Sequence, residues 1–470
     1  MKPGATQPKK FLGIFVHPLY IQYEGVQQVF DNLEAVGTRA ISISPLVARP
    51  ARAGKGRRFP DLARDGYERV VSRPLWGKHE IYLEFFLAHQ PDLSLYEKCP
   101  YKPLRKPLPP DVDPDVHPAI FAEAKKRGMQ VHIQIHPFMP PNLRDEDKPV
   151  YLDGSVPQPP QYVFSPYACL NSPSAEAYGL ALVEDTVQSF PNIDGLFTDF
   201  VEFGAYSLED HFACFCAHCE RKAGEQGFDW DGIKRDVTAL WDWLHSLDSR
   251  QLERSCRLLG NPSELLELLI HYPGCMEFLR FKAMSVVSFY QRVRQLLDRL
   301  GFTDVSLSAR GWPPPWNRSS GMDYRALSEI CDAVTPKLFT FAYSALPRWY
   351  GQTLLTWNPG LSESEILDAL LEWMNLPDDI ERRTFANYHI PAPGEPDPAK
   401  VEVYRSRLDE VVSQVGGRAR CYPFAHAYMP EPQWKRMIAL IRDSQVDGMW
   451  VQMYGYLSDR KLGILRQMWE

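Results

Sequence analysis

Short β-branched or aromatic runs alternate with amphipathic helical stretches through nearly all 470 residues, and this alternation constrains the fold more than any other feature. FLGIFVHP, beginning at Phe11, reads as a strand and is followed by the helical pattern VQQVFDNLEAVG. RAISISP gives a second strand, and MQVHIQIHP a third after the helix HPAIFAEAKKRG. A helix over 173–190 leads into IDGLFTDF, the fourth strand. The long helix around CMEFLRFKAMSVVSFYQRVRQLLDRLG precedes FTDVSLSAR, the fifth. CDAVTPKLFTF, RARCYPFAHAY and VDGMWVQMYG complete the set. Their cores are continuously apolar, as in parallel strands buried on both faces. Eight such βα units predict an α/β fold, the (β/α)8 TIM barrel. Gly37, Gly128 and Gly301, each just ahead of a strand, suit helix C-termini. An open doubly wound sheet is the other arrangement of such units, but no G-x-G-x-x-G follows the first strand. One barrel domain over 1–470 is expected, with insertions at about 46–116, rich in proline, and about 203–275.

A formal charge of −7 argues against nucleic acid as a partner. No apolar run approaches the roughly 18 residues of a membrane span, so no membrane partner is expected. The opening MKPGATQPKKFLGIFVHPLY carries basic residues but neither a long apolar region nor a small-residue cleavage site. A cytoplasmic location is the expectation that follows.

In a TIM barrel, chemistry gathers at the C-terminal ends of the strands. Here those ends carry His17, Pro45, His136, Asp199, Arg310, Lys337, His426 and Gln452 or Tyr454. Asp199 follows GLFT, where a carboxylate is costly unless it faces the open mouth or pairs with Arg310 or Lys337. Glu202 lies three residues on, and Glu431 follows the seventh strand. These are the candidate catalytic carboxyls. His17, His136, Arg310, Lys337 and His426, with the aromatic Trp312, Tyr428 and Tyr454, are candidate substrate contacts, since aromatic faces beside polar edges suit sugar rings. The loop ARPARAGKGRR after the second strand is strongly basic and holds Arg49, Arg52, Lys55, Arg57 and Arg58. It is either a solvated loop, compensated by acids such as Asp61 and Asp65, or a contact for an acidic substrate.

Nine cysteines are spread thinly, except in CFCAHC, where Cys214, Cys216 and Cys219 fall within six residues. That C-x-C-x2-C spacing is too tight for a disulfide framework and suits thiolates converging on one Zn²⁺. Cys169 is the best fourth ligand; His211 and His218 are local alternatives.

Cys169 in CLNSP, a helix, a strand ending in an acid, and then CFCAHC together resemble glycoside hydrolase family 42, the β-galactosidase type. The resemblance covers about 50 residues, through the pattern C-x44-C-x-C-x2-C. It implies a structural zinc on Cys169, Cys214, Cys216 and Cys219, a TIM barrel and a glycosidase activity. The remainder of the chain looks more like other bacterial glycosidase-like barrels. Two departures bear on the acids. The family has an Asn-Glu pair at the fourth strand, whereas this chain has TDFVEFG. The family's seventh-strand Glu is replaced by His426, with Glu431 beyond. A fourth-strand Asp nucleophile, as in α-galactosidase-like barrels, fits Asp199; their second acid lies at the sixth strand, where Lys337 stands here.

The sequence therefore predicts a glycoside hydrolase using Asp199 with Glu202 or Glu431, structural Zn²⁺, a carbohydrate substrate that could be acidic, and a possible homo-oligomer. The alternatives are a non-hydrolytic carbohydrate-binding barrel that keeps the zinc scaffold, and a metal-dependent sugar lyase or epimerase using the strand-end histidines.

Overall fold

The computed structural model describes residues 10–61, 69–104, 106–157, 167–258, 260–338, 340–392, 394–395 and 400–469. Eight parallel strands form the barrel: β1 Phe11–Phe15, β2 Ala40–Ile43, β3 Gln130–Ile135, β4 Gly195–Thr198, β5 Ser306–Gly311, β6 Ala333–Leu338, β7 Phe424–His426 and β8 Gly448–Gln452. Each pairs with its successor, and β8 pairs with β1, so the sheet closes with no free edge. The run expected as the seventh strand is split: Arg420–Cys421 pairs first with β6, and β7 resumes beyond Pro423. Proline has no N–H to give the ladder, which accounts for the break.

Bulky side chains fill the barrel interior. The Trp450 indole meets Phe197 and His132 edge-on at centroid distances of 4.9 and 5.0 Å. Gly13, opposite Trp450 across the β1–β8 ladder, makes room for it: a Cβ there would come within 2.3 Å of the ring.

Amphipathic helices cover the outside, several of them started by local chemistry. Ser172 caps Pro173–Ser189 by accepting from the Ala175 N–H at 3.2 Å, and Ser362 forms a capping box with Glu365. Gly37, Gly128 and Gly301 adopt the left-handed conformation beyond their helices, as their positions foretold. The fifth unit departs from the strand-then-helix expectation. After β5 come only the four-residue turns Trp316–Ser319 and Tyr324–Leu327, because Pro313–Pro314–Pro315 and Gly321 interrupt the segment. Pro273–Arg299 and Val401–Val415 pack against these turns and cover that flank.

The excursion after β2 contains a three-stranded antiparallel sheet, Leu46–Ala51, Arg57–Phe59 and Ile81–Leu87, beside the barrel mouth. Phe59 and Phe85 from it lie 5.4 and 5.7 Å from the His17 ring. After β4, the helices Ala217–Glu225, Trp230–Leu244, Ser249–Leu258 and Pro262–His271 precede the long helix to β5. No helix among the described residues is long and apolar enough to cross a membrane.

Candidate active site

At the end of β4 the Asp199 N–H still donates to the Ile135 carbonyl at 2.9 Å, so its backbone is fixed by the ladder. The chain then turns sharply through Phe200, a non-glycine residue at φ 58°, whose N–H donates to Asp199 Oδ1 at 2.9 Å. Left-handed backbone at a bulky residue is strained, and such strain collects at functional positions. The turn carries Glu202 back over the mouth. There its Oε2 accepts from the Trp312 N–H at 3.0 Å. Gly311 permits that approach, since a Cβ at this position would lie 2.8 Å from the same oxygen.

Lys337, at the end of β6, joins the two acids. Its ammonium is 3.0 Å from Asp199 Oδ1 and 2.5 Å from Glu202 Oε1, so these two oxygens cannot be more than 5.5 Å apart. Arg310 of β5 donates to Asp199 Oδ2 at 3.1 Å and to the Gln134 carbonyl oxygen at 2.7 Å. Its guanidinium lies between the Phe197 and Phe424 rings. Gln134 in turn donates to Asp199 Oδ2 at 3.3 Å and lies 3.2 Å from His136 Nε2. All four charged residues are buried, none more than 7 % exposed.

Burial pushes both carboxyls toward protonation, but their charged neighbours differ. Asp199 has Lys337, Arg310 and His136 beside it, which overcome the burial and hold it well below the usual carboxylate range. For Glu202 burial prevails over the pull of Lys337, and its pKa is raised. Burial works against the Lys337 ammonium, yet the attraction of both carboxylates raises its pKa, so it stays charged. The pair is thus set apart: one acid kept ionised, the other shifted toward its protonated form.

The structure brings Asp199, Glu202, Arg310, Lys337, Trp312 and His136 together. The remaining candidates have other partners. Glu431 opens the helix Glu431–Asp443 and has no hydrogen bond to either acid among the described residues. His17 Nδ1 accepts from the Leu19 N–H at 3.3 Å, and His426 Nδ1 from the Tyr428 N–H at 3.1 Å, so both act as backbone caps. Tyr428 packs between His426 and Tyr456. The Tyr454 hydroxyl is taken up by Glu24 and Asn32, at 2.7 Å each, with Arg73 over its ring. Gln134 escaped the sequence reading. The signal was present in QVHIQIHP, where His132, Gln134 and His136 alternate along one otherwise apolar strand and so share a face.

Three cations of the basic loop are compensated by the protein's own acids. Arg49 pairs with Glu84 and Asp111 at 3.0 Å, Arg57 with Asp61 at 2.8 Å, and Arg58 with Glu80. Asp65 lies outside the described residues.

The four sulfurs of Cys169, Cys214, Cys216 and Cys219 lie within 4.8 Å of one another, all buried. Cys169 Sγ is 3.5 Å from Cys219, 3.4 Å from Cys216 and 3.7 Å from Cys214. Zinc–sulfur bonds of about 2.3 Å in a tetrahedron put the sulfurs about 3.8 Å apart, close to this spacing. The N–H of Val150 and the N–H and side-chain amide of Asn171 point at Cys214, Cys169 and Cys219 within 3.4 Å, as donors around thiolates do. The cluster could bind a metal ion. Among the described residues it is the only group of three or more His, Cys, Asp or Glu side chains so placed. His211 and His218 are engaged elsewhere, with Tyr350 at 2.9 Å and the Glu146 carbonyl at 3.1 Å. His17, His136 and His426 form no such group.

No family model matches the chain, and no curated protein matches its sequence. Solved structures do match in shape. A β-galactosidase from the psychrophilic Marinomonas ef1 is 9% identical over 94% of this chain and 54% of its own, with TM-score 0.47. A β-galactosidase from Halorubrum lacusprofundi is 13% identical over 98% and 57%, with TM-score 0.44. The catalytic domain of a Paenibacillus polymyxa β-amylase is 11% identical over 97% of both chains, with TM-score 0.46. The chain spans about half the length of the two β-galactosidases. Proteins this dissimilar in sequence can share a fold and differ in chemistry.

Proposed function

We propose that this protein hydrolyses a glycosidic bond with retention of anomeric configuration, Asp199 acting as nucleophile and Glu202 as acid and base. One observation carries the reading. Two recessed carboxyls, with oxygens no more than 5.5 Å apart across Lys337, have environments that push their pKa values in opposite directions. Retaining glycosidases hold their carboxyls about 5–5.5 Å apart, whereas inverting ones leave room for a water at about 6.5–9.5 Å. In the first step the Glu202 carboxyl protonates the glycosidic oxygen while Asp199 attacks the anomeric carbon, releasing the aglycone and leaving a glycosyl ester. In the second, the Glu202 carboxylate takes a proton from water, which attacks that carbon and frees Asp199. Lys337 and Arg310 keep Asp199 ionised for attack, and Lys337 stabilises the Glu202 anion between the steps. With Arg49, Arg57 and Arg58 matched to protein carboxylates, a neutral sugar suits the site better than an acidic one.

The four cysteines are the ligands of a structural Zn²⁺ in this reading. An all-thiolate set leaves no open position for substrate or water, and it ties the fourth βα loop to the preceding helix.

Nitrophenyl glycosides, then natural oligosaccharides, test the proposal. Wild-type enzyme should turn over at least one glycoside, and proton NMR should show the product first in the anomeric form of the substrate. Asp199→Asn should lower kcat by about 10³-fold or more. Glu202→Gln should lose about 10²–10⁴-fold on poor leaving groups and much less on acidic phenols. An inverted product, or an active Asp199→Asn enzyme, overturns the assignment. Sugar binding without turnover favours the non-hydrolytic barrel.

A further inference from the structure

The helix Pro262–His271, in the insertion after β4, has no buried residue although six of its ten residues are leucine, isoleucine or proline. Leu266 and Ile270 form an outer ridge, 58 % and 69 % exposed. Beside that ridge, Leu265 and Leu268 turn toward Leu240 and Trp243 of the neighbouring helix and wall a groove of about 910 Å³. Exposed Leu269, Tyr272 and Met276 continue the apolar surface. At roughly 200 Å² per fully exposed side chain of this size, the eight exposed residues together present about 700 Å². That exceeds the largest apolar patch of a typical monomer, about 300–600 Å². It approaches the roughly 800 Å² that each partner of a stable complex buries.

We infer that this surface is the interface of a homodimer, in which the Leu266–Ile270 ridge of each copy seats in the Leu240–Trp243–Leu268 groove of the other. A two-fold interface uses one patch twice, so that patch must carry both a projection and its complement. Here the two lie side by side, the ridge on the helix Pro262–His271 and the groove between that helix and Trp230–Leu244. The charges agree with this occupant. Arg254 pairs with Glu264 at 3.3 Å, His271 lies 3.1 Å from Glu267, and Arg280 pairs with Glu277 at 2.5 Å. The rim thus mixes both signs in matched pairs, whereas helices that lie on anionic membranes carry a polar face rich in lysine and arginine.

Sedimentation equilibrium and light scattering of the full chain test the inference. At roughly 10 µM the wild type should have twice the 54.0 kDa chain mass. Leu266→Glu/Ile270→Glu should weaken association by about 100-fold or more, giving monomers. Because both side chains are exposed, the variant should keep the wild-type circular dichroism and melt where the wild type does when diluted to its monomer; Leu266→Ser/Ile270→Ser should weaken the dimer in the same direction. In the wild type, amides of 262–272 should exchange more slowly as concentration rises. A wild type monomeric at roughly 100 µM, or a dimer undiminished in both variants, overturns the inference. So does a monomer that pellets with phosphatidylcholine–phosphatidylglycerol vesicles, which would assign the surface to lipid.

Discussion

The charged cluster at the barrel mouth and the cysteine cluster beyond β4 are both buried, polar and near one strand, but they are assembled differently. The sulfurs come from two short stretches whose residue types declare their chemistry. The charges come from β4, β5, β6 and the turn after β4, with Arg310 reaching the neutral Gln134 of β3 across 176 residues. A thiolate cluster is held by what it ligates. The ion cluster is held by the mutual compensation of Asp199, Glu202, Arg310 and Lys337, with Gln134 and the N–H groups of Phe200 and Trp312 as further donors.

Lys337→Met breaks that compensation most directly. It leaves two buried carboxyls with only Arg310, Gln134 and backbone donors beside them. Loss of one partner from a buried ion pair costs about 3–5 kcal/mol, read as a lowered urea midpoint at unchanged m-value. Most of this should return in Asp199→Asn/Glu202→Gln/Lys337→Met, which removes the stranded charges as well. A single variant within about 1 kcal/mol of wild type would mean that water, not Lys337, satisfies the acids.

The cysteine cluster should fail differently. Protein purified without chelator should carry about one zinc per chain. Cys216→Ser should lose the metal and a few kcal/mol of stability while activity falls far less than in Asp199→Asn, since no sulfur joins the carboxyl cluster. Metal-free wild-type protein of full stability would remove zinc from the scaffold.

The same contrast explains what could be read in advance. The eight strands were legible because apolar runs bounded by glycine-capped helices need no distant partner to be recognised. The fifth helix was misjudged: the PPP run was visible, but what covers that flank is set by helices far along the chain. Asp199 was legible as a costly acid at a strand end. The position of Lys337 was read, but not its bridging of both acids, because that depends on the β4–β5–β6 neighbourhood of the closed sheet. Tyr454 and His426 stand near strand ends as expected, yet the Tyr454 hydroxyl is already taken by Glu24 and Asn32 and His426 Nδ1 by backbone. Sequence position does not reveal such prior engagement.

The smallest effect concerns a polar residue that belongs to neither cluster. His132 sits on β3 below Gln134, packed against Trp450 and Phe197, and neither ring nitrogen has a hydrogen-bond partner. Burial alone lowers its pKa to about 3. The unfolded chain takes up a proton as pH falls below about 6.5, while the folded barrel does not. Stability from this residue is therefore complete above about pH 6.5 and declines by about 1.4 kcal/mol per pH unit down to about pH 3. His132→Leu should lower the acid-side slope of stability by one proton, measured as urea midpoints between pH 7 and 5. At pH 7 it should be neutral or slightly stabilising, because two unsatisfied nitrogens leave the core. The corresponding slope should remain in Lys337→Met and in Cys216→Ser, since neither changes the surroundings of this ring. An unchanged slope in His132→Leu would mean that the imidazole is protonated in the folded barrel. The acid lability of the barrel would then lie with the other buried histidines, such as His117, lowered to about 4 by burial despite its hydrogen bond to the Ser44 carbonyl.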